Sequence, residues 1–278
     1  MHECARVPQT PSAIQCDILA RLGREIRIHD LTLILPAYNE RATILKTLDE
    51  AIAYFRARGI QAEIIVAADG DDGTRELVAQ RAIGDSNLKV MGRPARGGKG
   101  RAIREAMAIA RGQIIGYADA DGKVPIEDYD RIEPMLQAGY QVVIGSRALK
   151  ESQILRRQPW YRRIGAKGFY YYMQIVVSLP GIPDTQCGFK FFERKAAQQI
   201  FHFQNIDGYM FDVEILALAR HFGFSIQQVP VRWRDDGDSR LSLFSGNVRN
   251  GLDILKIRYT LSRLNIPAAV SKATAGDS

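Results

Sequence analysis

Two aspartates one residue apart, Asp119 and Asp121 in Tyr117-Ala118-Asp119-Ala120-Asp121-Gly122, close the apolar run 113–118. Paired carboxylates at a strand end can hold a hard divalent cation, Mg2+ or Mn2+, and leave coordination positions for diphosphate oxygens. An Asp-x-Asp pair alone also fits an ordinary turn, so its meaning depends on the groups around it. Arg96-Gly97-Gly98-Lys99-Gly100 precedes a helical stretch. Its glycines permit close backbone approach, the helix N-terminus favours an anion, and Lys99 supplies a point charge. Arg147 follows Gly145-Ser146, and Arg163 lies in the basic stretch beyond it; a guanidinium fork holds phosphate bidentately. Pro36, Tyr38 and Glu40 follow the first apolar run, and Asp69 follows the second. Those are the places where a base and ribose sit in an α/β crevice. Glu40 accepts from ribose hydroxyls or base N–H groups, or else matches its charge to the next helix's N-terminus.

The elements that must position these groups alternate through residue 145. Strands are expected over 31–35, ended by Pro36, and over 63–68, 88–91, 113–118 and 140–144. Helices are expected over 42–58, 74–82 and 100–110, the first with Ile44, Leu45, Leu48, Ile52 and Phe55 spaced for one apolar face. Repeated strand–helix–strand units imply right-handed crossovers and a mostly parallel central sheet flanked by helices. Ligand crevices in such sheets lie outside the carboxyl ends of the strands, which is where the acidic and basic groups fall. The expected organisation is an extension over 1–30, one domain over 31–245, and an amphipathic helix with a tail over 246–278.

The 278 residues can bury a sizeable core. The balance of 38 Lys plus Arg against 31 Asp plus Glu, a net charge of +7, suits anionic substrates or an anionic membrane face. No zinc-finger or helix-turn-helix signature accompanies it, so no nucleic-acid partner is expected. Three scattered cysteines, Cys4, Cys16 and Cys187, make neither a disulfide framework nor a metal spacing and point to a reducing cytoplasm.

The ordered segments LTLILPAYNE, ADGDDGT, GGKGRAIREA, YADADG, GSR, DTQCGFKFF, GYMFDVEILALA and VPVRW resemble family 2 glycosyltransferases of the GT-A, Rossmann-like fold. The resemblance runs from about Leu31 to Trp233, and the last four segments look most like the dolichyl-phosphate glucosyltransferase branch, beside the dolichol-phosphate mannose synthases. It implies transfer of a hexose from a nucleoside-diphosphate sugar, UDP-glucose or GDP-mannose, to a polyprenyl phosphate, with inversion and with Mg2+ or Mn2+. It implies Asp119 and Asp121 as metal ligands and Pro36, Tyr38, Glu40, Asp69, Lys99, Asp119 and Ala120 on the donor side. Arg147, Arg163, Asp212 and Arg240 fall on the acceptor side, Arg240 in a polar loop that closes on the phosphates. Asp121 and Asp184 are the expected catalytic pair, with Asp184 positioning the acceptor, with or without deprotonating it. A phosphate is already ionised at neutral pH, so geometry and charge can suffice. Two departures stand out: Ala68-Asp69 replaces two consecutive aspartates in a loop one residue shorter, and Lys123 stands where the mannose synthases have a metal-supporting Gln. A protonated Lys does not ligate a metal.

Three rivals stay open: a glycosyltransferase with a soluble or other lipid acceptor, a sugar-phosphate nucleotidyltransferase, and a membrane-surface module without chemistry. The nucleotidyltransferase places its Gly-rich loop directly after the first strand, where this chain has Tyr38-Asn39-Glu40. In 247–264, Val248, Leu252, Leu255 and Tyr259 recur at helical spacing among Arg249, Lys256, Arg258 and Arg263. With the aromatic run 169–179 this segment either lies in the interface of an anionic leaflet or packs as core. The expected location is therefore cytoplasmic, peripheral on the cytoplasmic membrane face.

Overall fold

The structure is a computed structural model that describes residues 29–154, 160–234 and 245–264. Its main sheet has seven strands in the order β3-β2-β1-β4-β7-β5-β8: β1 (Leu31–Tyr38), β2 (Ala62–Asp69), β3 (Leu88–Met91), β4 (Ile114–Ala118), β5 (Val142–Ser146), β7 (Phe189–Glu193) and β8 (Ile226–Pro230). Two short strands, β6 (Gln153–Ile154) and β9 (Arg232–Trp233), pair separately. Every pairing in the main sheet is parallel except those of β7, which runs antiparallel between β4 and β5.

The helices α1 (Ile44–Ala57), α2 (Thr74–Arg81), α3 (Lys99–Ile109) and α4 (Tyr129–Gln137) carry the crossovers. They are followed by α5 (Trp160–Val177), α6 (Arg194–Phe203), α7 (Phe211–His221) and α8 (Ser245–Arg263). Strand alternation splits the apolar side chains between two faces. Ile34, Ile65 and Ile115 pack with α3, α6 and α7, while Leu33, Leu35, Ile64 and Val66 pack with α1 and α4. Gly116 faces Phe191 across the β4–β7 pair, and a Cβ there would come within 2.1 Å of the ring. The sheet closes at that point only because the residue is glycine.

Two of the boundary differences from expectation have a clear physical cause. Pro36 does not end β1, which continues to Tyr38. Strand β4 pairs only as far as Ile34, so Pro36 lies where β1 has one neighbour, the edge setting in which a strand accepts proline. Strand β5 begins at Val142 rather than 140 because Gly139, at φ 96, and Tyr140 close α4, the Tyr140 N–H bonding the Met135 carbonyl at 3.2 Å.

Candidate active site

The reversed strand assembles the site. Because β7 is antiparallel, its N-terminal approach (184–188) reaches the same edge as the carboxyl ends of β4 and β5. That lays Asp184 and Gly188 between Asp119, which follows β4, and Arg147, which follows β5. The Asp119 N–H donates to the Gly188 carbonyl at 3.0 Å. A Cβ on Gly188 would lie 2.1 Å from Asp119 Oδ2, so the carboxylate rests against bare backbone. A turn then brings the second carboxylate round: the Gly122 N–H bonds the Asp119 carbonyl at 3.1 Å, with Gly122 at φ 64.

Both carboxylates face ammonium groups. Lys99 Nζ lies 2.6 Å from Asp119 Oδ1, and Lys123 Nζ lies 2.9 Å from Asp121 Oδ2. The Lys123 backbone N–H also donates to Asp121 Oδ1 at 3.2 Å. Lys99 begins α3 after Gly98, whose φ of 103 and missing Cβ let the chain pass the Asp207 carbonyl. The Gly100 N–H bonds that carbonyl at 2.9 Å. The Lys99 ammonium stands 5.8 Å from the ring centres of both Tyr117 and Phe211. Burial works against its charge, yet Asp119 and Asp212 hold it above the ordinary lysine range.

Arg147 and Asp184 form a forked pair: Nε to Oδ2 and Nη2 to Oδ1, both 2.8 Å, with the Arg147 backbone N–H on Oδ2 at 2.8 Å. The guanidinium lies 5.4 Å from the Trp233 ring centre. Burial pushes the Asp184 carboxyl up, but the hydrogen bonds and charge of Arg147 prevail and hold it below the usual range. Of the two expected roles of Asp184, this pairing favours positioning over proton transfer. Its oxygens are occupied by Arg147, and a depressed pKa makes it a weak base at neutral pH.

Asp212 is buried beneath the crevice; Lys190 Nζ lies 2.5 Å from its Oδ1 and the Tyr117 hydroxyl donates to the same oxygen. Lys190, wholly buried, also donates to the Cys187 carbonyl at 2.6 Å. Burial and Asp212 push the Tyr117 pKa well up, so it stays a donor. Glu214 faces elsewhere and accepts from the N–H groups of Asn205 and Ile206 at 3.0 and 2.8 Å, pinning the loop whose Asp207 carbonyl anchors α3. Burial pushes the Cys187 thiol up to about 12, as suits a packed residue rather than a nucleophile.

At the end of β2, Asp69 is buried and accepts from Arg101 Nη2 at 2.7 Å and from the Gly97 and Arg93 N–H groups at 2.9 and 3.2 Å. Its carboxylate thus ties the basic glycine loop to the end of β2. Asp72 is a turn residue: its Oδ1 accepts the Thr74 N–H at 3.0 Å at the start of α2. Arg96 stacks on Tyr38 at 4.6 Å and donates to the Tyr209 hydroxyl at 3.1 Å. Pro36 lies in β1 beside Tyr38, and Glu40 Oε2 accepts the Thr43 hydroxyl at 2.8 Å. Ala120 is buried, its carbonyl bonded by Thr47 Oγ1 at 2.9 Å. The Arg163 side chain and all of Arg240 lie outside the described residues.

Sequence reasoning passed over Lys190, Arg101, Thr47 and the role of Gly188. The one available signal was a lysine set between Phe189 and Phe191 in an otherwise apolar buried strand, which announces an internal partner.

This parallel sheet with one reversed strand, carrying a carboxylate pair at its central edge, defines a GT-A glycosyltransferase. The chain belongs to the family described as Glycosyl transferase family 2, which it matches over residues 32–201. It is 34% identical over 238 residues to a dolichyl-phosphate beta-glucosyltransferase of Trichomonas vaginalis, covering 81% of this chain and 70% of that protein. It is 31% identical over 242 residues to the dolichyl-phosphate beta-glucosyltransferase of Homo sapiens, covering 82% and 74%. In structure it is similar to mannosyl-3-phosphoglycerate synthase from Rubrobacter xylanophilus, with TM-score 0.62, 19% identity, and coverage of 90% of this chain and 80% of that one. Glucosyl-3-phosphoglycerate synthase from Mycobacterium tuberculosis, crystallised with Mg2+ and UDP, aligns with TM-score 0.57, 20% identity, and coverage of 94% and 86%.

Proposed function

We propose that this protein transfers glucose, with inversion, from a uridine-diphosphate donor to dolichyl phosphate or a similar polyprenyl phosphate. The observation that carries this reading is the row of cationic groups along 184–188, with Lys99 and Lys123 at the aspartate pair beside Gly188 and Arg147 at Asp184. A diphosphate and an acceptor phosphate would then sit at opposite ends of one short segment. The relatives named dolichyl-phosphate beta-glucosyltransferase support glucose and the lipid phosphate.

The acceptor phosphate oxygen attacks the anomeric carbon from the face opposite the donor diphosphate, and the bond from that carbon to the diphosphate breaks. No proton need move, because the acceptor is already ionised. Arg147 holds the acceptor phosphate through its Nη1–Nη2 edge, and Asp184 positions it by taking the Nε–Nη2 edge. Lys99 and Lys123 meet the departing diphosphate. Asp119 and Asp121 fit a divalent cation as two hard anionic donors; among the described residues no group of three or more acidic, His or Cys side chains gathers, so diphosphate and water would complete the shell. When bound, Mg2+ or Mn2+ supplies Lewis-acid neutralisation of the leaving diphosphate.

The same reading gives the protein a membrane face. No helix among the described residues is long and apolar enough to cross a membrane. On α8, Ile254 and Ile257 are buried, whereas Leu252, Leu255 and Tyr259 are exposed; on α5, Tyr171 and Ile175 are 64% and 83% exposed. Arg249, Lys256, Arg258 and Arg263 also lie on α8, so these side chains support peripheral binding to the anionic cytoplasmic leaflet.

Thermal unfolding with Mn2+ and either UDP or GDP tests the donor. UDP is expected to raise the melting temperature and GDP to leave it nearly unchanged, since only a bound ligand stabilises by mass action. A larger rise with GDP would reassign the donor.

A further inference from the structure

We propose that Lys99 and Lys123 are internal counter-ions that keep Asp119 and Asp121 closed to a divalent cation until a diphosphate draws the lysines away. Metal and donor would then bind this site as a coupled pair. The proposal rests on the glycosyltransferase reading above and deepens it by fixing how the metal enters.

Each carboxylate already has a cation at contact distance, 2.6 Å for Asp119 and 2.9 Å for Asp121. Two negative and two positive charges cancel locally, so an arriving cation meets no net attraction and must displace two ammonium groups. Neither lysine leaves easily. The Lys99 side chain is only 20% exposed and its ammonium lies near two aromatic rings. The Lys123 side chain is 19% exposed, and its backbone is fixed at both ends. Its N–H bonds Asp121 Oδ1, and its carbonyl accepts the Arg234 N–H at 3.0 Å. An ammonium displaced into this half-buried crevice would lose its partner without gaining full hydration.

A diphosphate changes that balance. Its oxygens give both ammonium groups an anionic partner within the crevice, and the carboxylate oxygens become available to the metal. The metal in turn ligates the diphosphate, so each ligand strengthens the other by the same factor. Lys123 sets the size of this coupling. Lys99 would be retained in any case as a diphosphate contact at the helix start, whereas Lys123 sits on the turn of the metal ligands themselves.

The test is Mn2+ affinity of the full chain, read from the electron paramagnetic resonance signal of free Mn2+, with and without UDP. The wild type is expected to bind Mn2+ at least tenfold more tightly with UDP present. Lys123→Gln is expected to bind Mn2+ several-fold more tightly than wild type without nucleotide and to gain less from UDP. Lys123→Arg, which keeps the charge, should follow the wild type. Lys123→Met repeats the neutral case should the Gln variant fold poorly by circular dichroism. Neutral variants whose nucleotide-free Mn2+ affinity equals or falls below that of wild type overturn the proposal. Absence of Mn2+ binding to the wild type with UDP present would instead overturn the metal reading on which the proposal stands.

Discussion

Gly188 shows how one residue fixes the chemistry of this site. The Asp119 carboxylate occupies the space where a Cβ would be, and the Asp119 N–H bonds the same residue's carbonyl. Gly188→Ala should displace that carboxylate and lower kcat/KM about 10²-fold, the cost of roughly an ångström of misplacement. The melting temperature should fall by only a few degrees; near-normal turnover would remove Asp119 from the mechanism. Asp184 makes a pH prediction. Its pKa is lowered in the folded protein, so its pairing with Arg147 adds stability that is fully present above the unfolded carboxylate value of about 4. That stability drains as pH falls through the lower, folded value. In denaturant unfolding, the gap between wild type and Asp184→Asn should be widest near neutral pH and narrow below about pH 4. A gap constant with pH would mean that Asp184 stabilises by packing alone.

Among the elements, β7 carries the largest consequence and was the least legible. Strands β1, β2 and β4 announce themselves as apolar runs that lead into Tyr38, Asp69 and Asp119, so the elements that carry these residues could be read from spacing. Strand β7 is five residues long with a charge inside it, and nothing local specifies that it enters antiparallel between β4 and β5. The same insertion gives Asp212 its partner. Helix spacing states that Asp212 and Glu214 diverge, but only the reversed strand brings Lys190 beneath the crevice to meet Asp212. Asp69 has a partner equally hidden in the sequence, since Arg101 lies beyond α2 and β3 and reaches it only through the fold. Removing one member of the buried pair should be costly. Asp212→Ala leaves the Lys190 ammonium without its carboxylate and should destabilise the protein by about 3–5 kcal/mol, whereas Lys190→Met with Asp212→Leu should cost much less. Equal loss in the single and double variants by thermal unfolding would show that the pair is not coupled.

At the scale of the whole molecule, an overall charge of +7 and the exposed apolar side chains of α5 and α8 favour a lipid surface. The sequence left core packing and interfacial exposure open for α8, and the helix buries Ile254 and Ile257 while leaving Leu252, Leu255 and Tyr259 exposed. In liposome flotation the protein should rise with anionic vesicles at low salt and release as salt increases. Recovery in the soluble fraction at both salts would favour a water-soluble acceptor. The central claim is sugar transfer to a lipid phosphate, and a direct assay decides it. With radiolabelled UDP-glucose, a short polyprenyl phosphate and Mn2+, the protein should form a β-linked glucosyl polyprenyl phosphate and release UDP, and Asp119→Asn should form none. Release of pyrophosphate from a nucleoside triphosphate and a sugar phosphate, or no transfer to any lipid phosphate with donor and metal both shown to bind, would contradict it.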